Sequence, residues 1–354
     1  MVFIEGNCWA NNWNGLSSLI QYEPNIAFSW HKYWTTNSDN TIAGILNFSK
    51  DNNVPTWLGE TGENSNTWFT DMVKQMERLG IGWSTWAYKQ MDIDDQYTIK
   101  SDKWRFISNY DPKTGANRPS KANAKLAMDE ILNNIKTENC EVNEDVVYAY
   151  LGLPFNAPRK AFKSHSLPGT IFATDYDMGK LSDAWYDPDY QDLHVSSGTY
   201  TAWNQGYSYR NDGVDMEACT DAVSNGYNVA WTSSGEWMKY SLASVTPGTY
   251  NITFRVAGGA GLVNLKLNNT LISPQHIATP ATSGYQVWTD VTFNNVVIGS
   301  DINTITLFVM SSGFNINYMK FDLVVPSSLI KTQSVTDVNL KELLDLKIKP
   351  FLSH

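Results

Sequence analysis

Residues 55–83 read PTWLGETGENSNTWFTDMVKQMERLGIGW, and their patterning sets the architecture of the first part of the chain. Pro55–Gly62 is a short apolar run ending in Gly-Glu-Thr-Gly, the profile of a buried strand giving way to a turn. From Ser65 to Leu79 the period changes. Trp68, Phe69, Met72, Val73, Met76 and Leu79 recur three and four residues apart, which predicts an amphipathic helix. Ser65 or Asn66 can cap its start, and Gly80 ends it. A further apolar run, Ile81–Lys89, follows at once. Strand, helix and strand in this order make a βα unit with parallel strands.

The same grammar extends towards the N-terminus. Val2–Asn7 and Ile26–Trp34 read as buried strands, and the four strand starts lie 24 to 29 residues apart. Asp39–Lys50 and Ser120–Lys136 read as further helices. Four βα units are half of a (β/α)8 barrel, which needs about 250 residues. The first fold class expected is therefore α/β, a partial (β/α)8 barrel over residues 1–157. In such barrels functional groups gather at the C-terminal ends of the strands. Here those ends carry Glu5, then His31 and Tyr33, then Glu60, then Trp86. A carboxylate beside hydrogen-bonding groups and an indole suits glycoside hydrolysis, in which a retaining mechanism pairs a nucleophilic carboxylate with an acid/base.

Thr137–Leu167 is polar and aperiodic and reads as an irregular connector, with a linker at 158–167. Beyond Pro168 the pattern changes to short alternating runs separated by Gly, Asn, Ser and Pro. They are Gly235–Ser241, Gly248–Ala257, Val263–Leu267, Val287–Phe293, Thr304–Val309 and Ile316–Val325. Regular short strands with turn signals predict an all-β antiparallel β-sandwich of jelly-roll type over 168–326. On the last of these runs, Asn315, Asn317, Met319, Phe321 and Leu323 share one face by alternation, so the two asparagines are expected to point inward near a cleft. Residues 327–354 are a tail with one amphipathic stretch, Val338–Leu346.

The composition narrows the partners. The net charge of −10 gives no electrostatic footprint for nucleic acid or an anionic membrane. No apolar run is long enough to span a bilayer, and the N-terminus carries no signal peptide pattern. Cys8, Cys140 and Cys219 are odd in number and far apart, which fits neither a disulfide framework nor a metal motif. The 14 Trp and 18 Tyr are an excess of flat rings, which stack on the apolar faces of pyranose sugars as well as packing cores.

The stretches FIEGNCWANNWNGL, HKYW, PTWLGETG and GWSTWAYK, taken in order, resemble the last four βα units of glycoside hydrolase family 5, the cellulase-like retaining enzymes. The resemblance implies Glu60 as nucleophile, His31 and Tyr33 as active-site hydrogen-bonding groups, and Trp86 as a stacking platform. It places Glu5 in a supporting role. The family's acid/base glutamate lies in an Asn-Glu-Pro motif that would precede Val2, so the chain is expected to be a fragment or to carry a mis-assigned start. Two readings stay open: a retaining β-glycanase with a polysaccharide-binding module, or a catalytically inert truncated chain that only binds carbohydrate.

The stretches DYDMG, YRNDGVDME, GYNVAWTSSGEWMKYSL, PGTYNITFRVA, SGYQVWTDV and GFNINYMKFDLV resemble a family 6 carbohydrate-binding module. This resemblance implies that Asn315 meets sugar between two aromatic walls, Tyr209 and Tyr285. It also implies a structural calcium held by glutamates in an Ile-Glu-Ala-Glu opening. Here that opening is Ile171-Phe172-Ala173-Thr174, so only Asp322 and backbone carbonyls remain, and no metal or other cofactor is expected. The partner expected is a polysaccharide: β-glucan, xylan or mannan. The parent protein is expected to be secreted.

Overall fold

A computed structural model describes residues 1–91, 93–152, 159–188, 190, 206, 208–272 and 276–326. Four strands form a parallel sheet in sequence order: β1 (Val2–Glu5), β2 (Ile26–Lys32), β3 (Thr56–Thr61) and β4 (Gly82–Trp83). Helix α1 (Ala43–Asn52) joins β2 to β3, and α2 (Asn66–Leu79) joins β3 to β4. Parallel neighbours require such crossovers. Almost every residue of β2 is buried, as expected of a strand covered on both faces.

Helix α2 forms where the sequence places it. The Ser65 hydroxyl accepts from the Trp68 N–H at 3.3 Å. Gly80, at φ +66°, ends the helix in a left-handed turn in which the Ile81 N–H reaches the Met76 carbonyl. Its apolar stripe is fully buried: Trp68, Phe69, Met72, Val73 and Met76 pack against Phe28, Trp30 and Leu58 of the sheet. Each such side chain contributes about 1.5–3 kcal/mol by leaving water.

Helices α3 (Arg105–Ser108) and α4 (Lys121–Asn134) follow, α4 with Ser120 as its cap. The expected irregular connector then contains a helix, α5 (Glu144–Leu151). Val146, Ala149 and Tyr150 complete the core over α2, and the Tyr150 ring stacks on Phe69 with centroids 4.4 Å apart. The linker expectation also fails from Arg159 onward. Arg159–Lys160 pairs with Met178–Gly179, and His165–Leu167 pairs with Leu242–Val245. Pro168 bounds a strand there, a position proline tolerates, and does not mark a flexible tether.

Most strands beyond Pro168 form two sheets packed face to face. One contains Gly169–Phe172, Met216–Ala218, Tyr227–Val229, Gly248–Gly258, Thr289–Ile298 and Phe314–Pro326. The other is built on Trp237–Val245, Gly261–Leu267 and Thr304–Ser311. Trp185, Tyr240, Ile252, Phe254, Leu265, Leu307 and Phe321 are among the buried residues between them. All six expected runs are strands.

Their alternation is not uniform, however. Phe314 and Ile316 lie in the same core as Met319 and Phe321. An extra residue on the Phe314–Pro326 strand, opposite the step from Arg255 to Val256, breaks the register. Asn315 and Asn317 therefore point away from the core, not into it as expected. The amphipathic stretch Val338–Leu346 falls outside the described residues. Among the described residues no helix is long and apolar enough to cross a membrane.

Candidate functional site

The ends of β1, β2 and β3 bring Glu5, His31, Tyr33 and Glu60 together. Tyr33 Oη donates to Glu60 Oε2 at 2.7 Å. The His31 ring lies between two carboxylates, Nδ1 3.2 Å from Glu60 Oε2 and Nε2 3.4 Å from Glu5 Oε1. A neutral imidazole can donate to one of them, and an imidazolium to both. Ser29 Oγ donates to the same Glu5 oxygen at 2.9 Å. Burial, then the hydrogen bond to Glu60 and its negative charge, pushes the Tyr33 phenol well above its ordinary range, so it stays a donor.

Two glycines permit this approach. A Cβ on Gly59 would lie 2.2 Å from Ser29 Oγ, and one on Gly62 would lie 2.3 Å from the Trp86 carbonyl oxygen. Beside the rim an open cleft of about 1260 Å3 is lined by Trp9, Trp34, His31, Tyr33, Glu60 and Glu63, among others. The Trp86 indole is 57% exposed, and its backbone N–H is anchored on the Thr61 carbonyl at 2.9 Å.

Lys32 closes the loop that carries Tyr33. Its buried ammonium donates to Thr35 Oγ1 at 2.5 Å and to the Thr35 and Thr36 carbonyls at 3.1 and 2.9 Å. It also stands 5.0 Å from the Trp68 ring centroid. Burial pulls its pKa down to about 7.

In the sandwich, Asn315 and Tyr285 come together. Asn315 is buried, and its Nδ2 donates to Glu217 Oε1 at 2.7 Å and to the Tyr285 carbonyl at 2.9 Å. Gln286 Nε2 donates to the same Glu217 oxygen at 2.7 Å and to Asn228 Oδ1 at 3.0 Å. The Tyr285 ring is 58% exposed and stands over Gly258, where a Cβ would lie 2.5 Å from the ring. An exposed flat ring beside a satisfied but reachable carboxylate and two amides can stack on a sugar and bond its hydroxyls.

Glu217 and Gln286 were not singled out from sequence. Glu217 is the last residue of YRNDGVDME, and Gln286 follows Tyr285 directly. Their signal was position within those stretches.

Tyr209 is engaged elsewhere. It is half-buried, donates to Asp175 Oδ1 at 3.0 Å and stacks on Tyr227 with centroids 4.6 Å apart. Burial and the Asp175 charge push its phenol up. At the position of the implied calcium, Phe172 lies edge-on to Tyr318 and Asp322 pairs with Lys320 at 3.0 Å. These side chains do not make an oxygen cage of the kind calcium takes. Among the described residues no three His, Cys, Asp or Glu side chains form a metal-binding group.

Residues 205–323 match the model of the carbohydrate binding module (family 6). Among solved structures, a family 6 module from Clostridium stercorarium in complex with cellobiose is 17% identical, with TM-score 0.32, covering 46% of this chain and 98% of that one. A β-1,3-glucan binding module from Bacillus halodurans is 22% identical, with TM-score 0.31, covering 45% and 99%. The C-terminal module of a marine laminarinase from Zobellia galactanivorans is 29% identical, with TM-score 0.26, covering 31% and 87%. No curated protein sequence matches the chain.

Proposed function

We propose that the chain binds a β-linked polysaccharide at the surface where the exposed Tyr285 ring stands beside Asn315 and Glu217. The observation that carries this reading is the hydrogen-bonded Asn315–Glu217–Gln286 group beside an exposed tyrosine ring. A buried amide is costly unless it is bonded, and here Asn315 is held in place before any sugar arrives. The family 6 match over 205–323 points the same way. Affinity electrophoresis of the full chain through gels cast with β-1,4-glucan, β-1,3-glucan, xylan and mannan tests it. Retardation in at least one gel is expected, and free migration in all of them refutes the reading.

A second reading is favoured by a separate observation, the bond from Tyr33 to Glu60 with His31 between Glu60 and Glu5. In it the first part of the chain derives from a retaining β-glycosidase, acting on polysaccharide outside the cell. Glu60 is the nucleophile, aimed by its bond from Tyr33, and Trp86 floors a sugar subsite. Leaving-group protonation, typically worth about 10²–10⁴-fold, needs a second carboxyl group, for which Glu5 across His31 is the local candidate. Reducing-sugar release that disappears in Glu60→Gln supports this reading. No release by either protein confines the chain to binding, and Glu60→Gln is expected to bind polysaccharide as the wild type does.

A further inference from the structure

Where the sandwich meets α2 and α5, the contact is a buried polar network. Asn66 Nδ2 donates to Asp145 Oδ2 at 2.7 Å and to Asp212 Oδ1 at 3.0 Å. The Asn66 N–H donates to the Asn211 carbonyl at 2.9 Å, and the Asn211 N–H to Asp145 Oδ2 at 2.9 Å. Ser65 Oγ and Tyr190 Oη lie 2.5 Å apart. Arg210, fully buried over the Tyr176 ring, holds Asp212 at 2.7 Å. The bonds that cross the junction join residues 66 to 146 positions apart. The one cavity described at the junction measures about 20 Å3, room for a single water and too small for a sugar.

The network does not stop at the junction. Asn211 Nδ2 donates to the Asn64 carbonyl at 2.8 Å, and Asn64 Nδ2 donates to the Tyr33 carbonyl at 3.2 Å. Tyr33 in turn donates to Glu60. Asn64 lies in the turn between the strand that carries Glu60 and the helix that bears the junction. Directional bonds at buried groups tolerate little sliding, because each one lost leaves a desolvated donor or acceptor behind.

We propose that the sandwich is docked rigidly, and that Asn211 is a positioning residue for the Tyr33–Glu60 pair, acting through Asn64. The module is then a structural part of the turn behind Glu60 and not a tethered anchor. On the proposed reading of the two sites, a polysaccharide held at Tyr285 keeps a fixed orientation relative to the Glu60 rim.

Residue-resolved hydrogen exchange on the full chain tests the docking without needing sugar binding or hydrolysis, so failure of the functional reading leaves the test intact. The Asn66 and Asn211 amides donate across the junction. Docking predicts that in the wild type both are protected as strongly as the sheet cores, although the first amides of a helix otherwise face water. Asn211→Ala should then speed exchange in residues 60–66 by about tenfold or more while leaving α4 unchanged, and Asn64→Ala should do the same at 210–212. Near-unprotected exchange of both wild-type amides overturns the docking. Loss of protection confined to the sandwich in Asn211→Ala overturns the positioning role. Should Asn211→Ala fail to fold, the wild-type amides and Asn64→Ala still decide.

Discussion

Replacing Tyr285 with alanine separates binding from folding. The ring is 58% exposed, and the bonds that fix its segment are made by its backbone carbonyl, which accepts from Asn315, and by the neighbouring Gln286 side chain. The substitution therefore removes a surface ring while leaving that framework in place. Surface changes of this kind stay within about 0.5 kcal/mol of neutral. A buried aromatic removes about 150 Å2 or more from water. If a sugar covers about half of that, at about 25 cal/mol per Å2 the stacking contributes about 2 kcal/mol. That corresponds to roughly 30-fold in Kd. Isothermal titration with soluble glycan, run beside urea unfolding, measures both quantities. Wild-type affinity in Tyr285→Ala refutes the stacking role. A loss of affinity matched by a large loss of stability refutes the claim that the ring is dispensable to the fold.

Three further outcomes follow from the same geometry. Gly258→Ala, at φ +107° and with its Cβ 2.5 Å from the Tyr285 ring, should displace that ring. It should cost about 1–3 kcal/mol in urea unfolding and weaken glycan binding as well. Asn315→Ala should cost about 1–3 kcal/mol, since the Tyr285 carbonyl loses its donor and Glu217 one of two close ones. For Lys32 the sign is set by a folded-state pKa of about 7, below the unfolded value of 10.5. The unfolded chain binds the extra proton between those values, so this group's contribution to stability rises with pH across that window. The wild-type minus Lys32→Met difference in unfolding free energy should therefore climb from pH 7 to pH 10. A flat or falling difference refutes the burial argument.

The parallel strands and α2 are legible because each is written locally, in a run of apolar residues or a three-and-four spacing with its own cap. Helix α5 is not written that way. Its eight residues carry one buried face, Val146, Ala149 and Tyr150, whose meaning depends on Phe69 and Trp83 supplied from far away in sequence. The stretch from Arg159 was misread for a related reason. Its polar residues, flanked by Pro158 and Pro168, look like a tether, yet Arg159 donates to the buried Asp177 at 3.0 Å and His165 bonds the Asp175 carbonyl. The Glu60 rim was readable because strand ends in a parallel sheet converge by topology. Glu217 was not, because its place under Asn315 depends on which way that asparagine points.

That direction is decided by a single residue. A strand read with an unbroken period of two puts Asn315 and Met319 on one face, in the core. With that register, two side-chain amides would sit among Phe254, Val256 and Phe321, each costing a few kcal/mol unless bonded. The extra residue between Ile316 and Tyr318 lets Ile316 and Met319 both enter the core and turns Asn315 and Asn317 outward. There they meet acceptors from elsewhere in the chain: Glu217 for the first, Asp221 and the Val223 carbonyl for the second. Asp221 is itself fixed by a two-pronged bond from Arg255, at the point where the register slips. A bulge re-aims side chains in this way wherever it occurs. The polar group beside Tyr285 thus rests on an irregularity of pairing, which alternation along one strand cannot reveal because it is a relation between two.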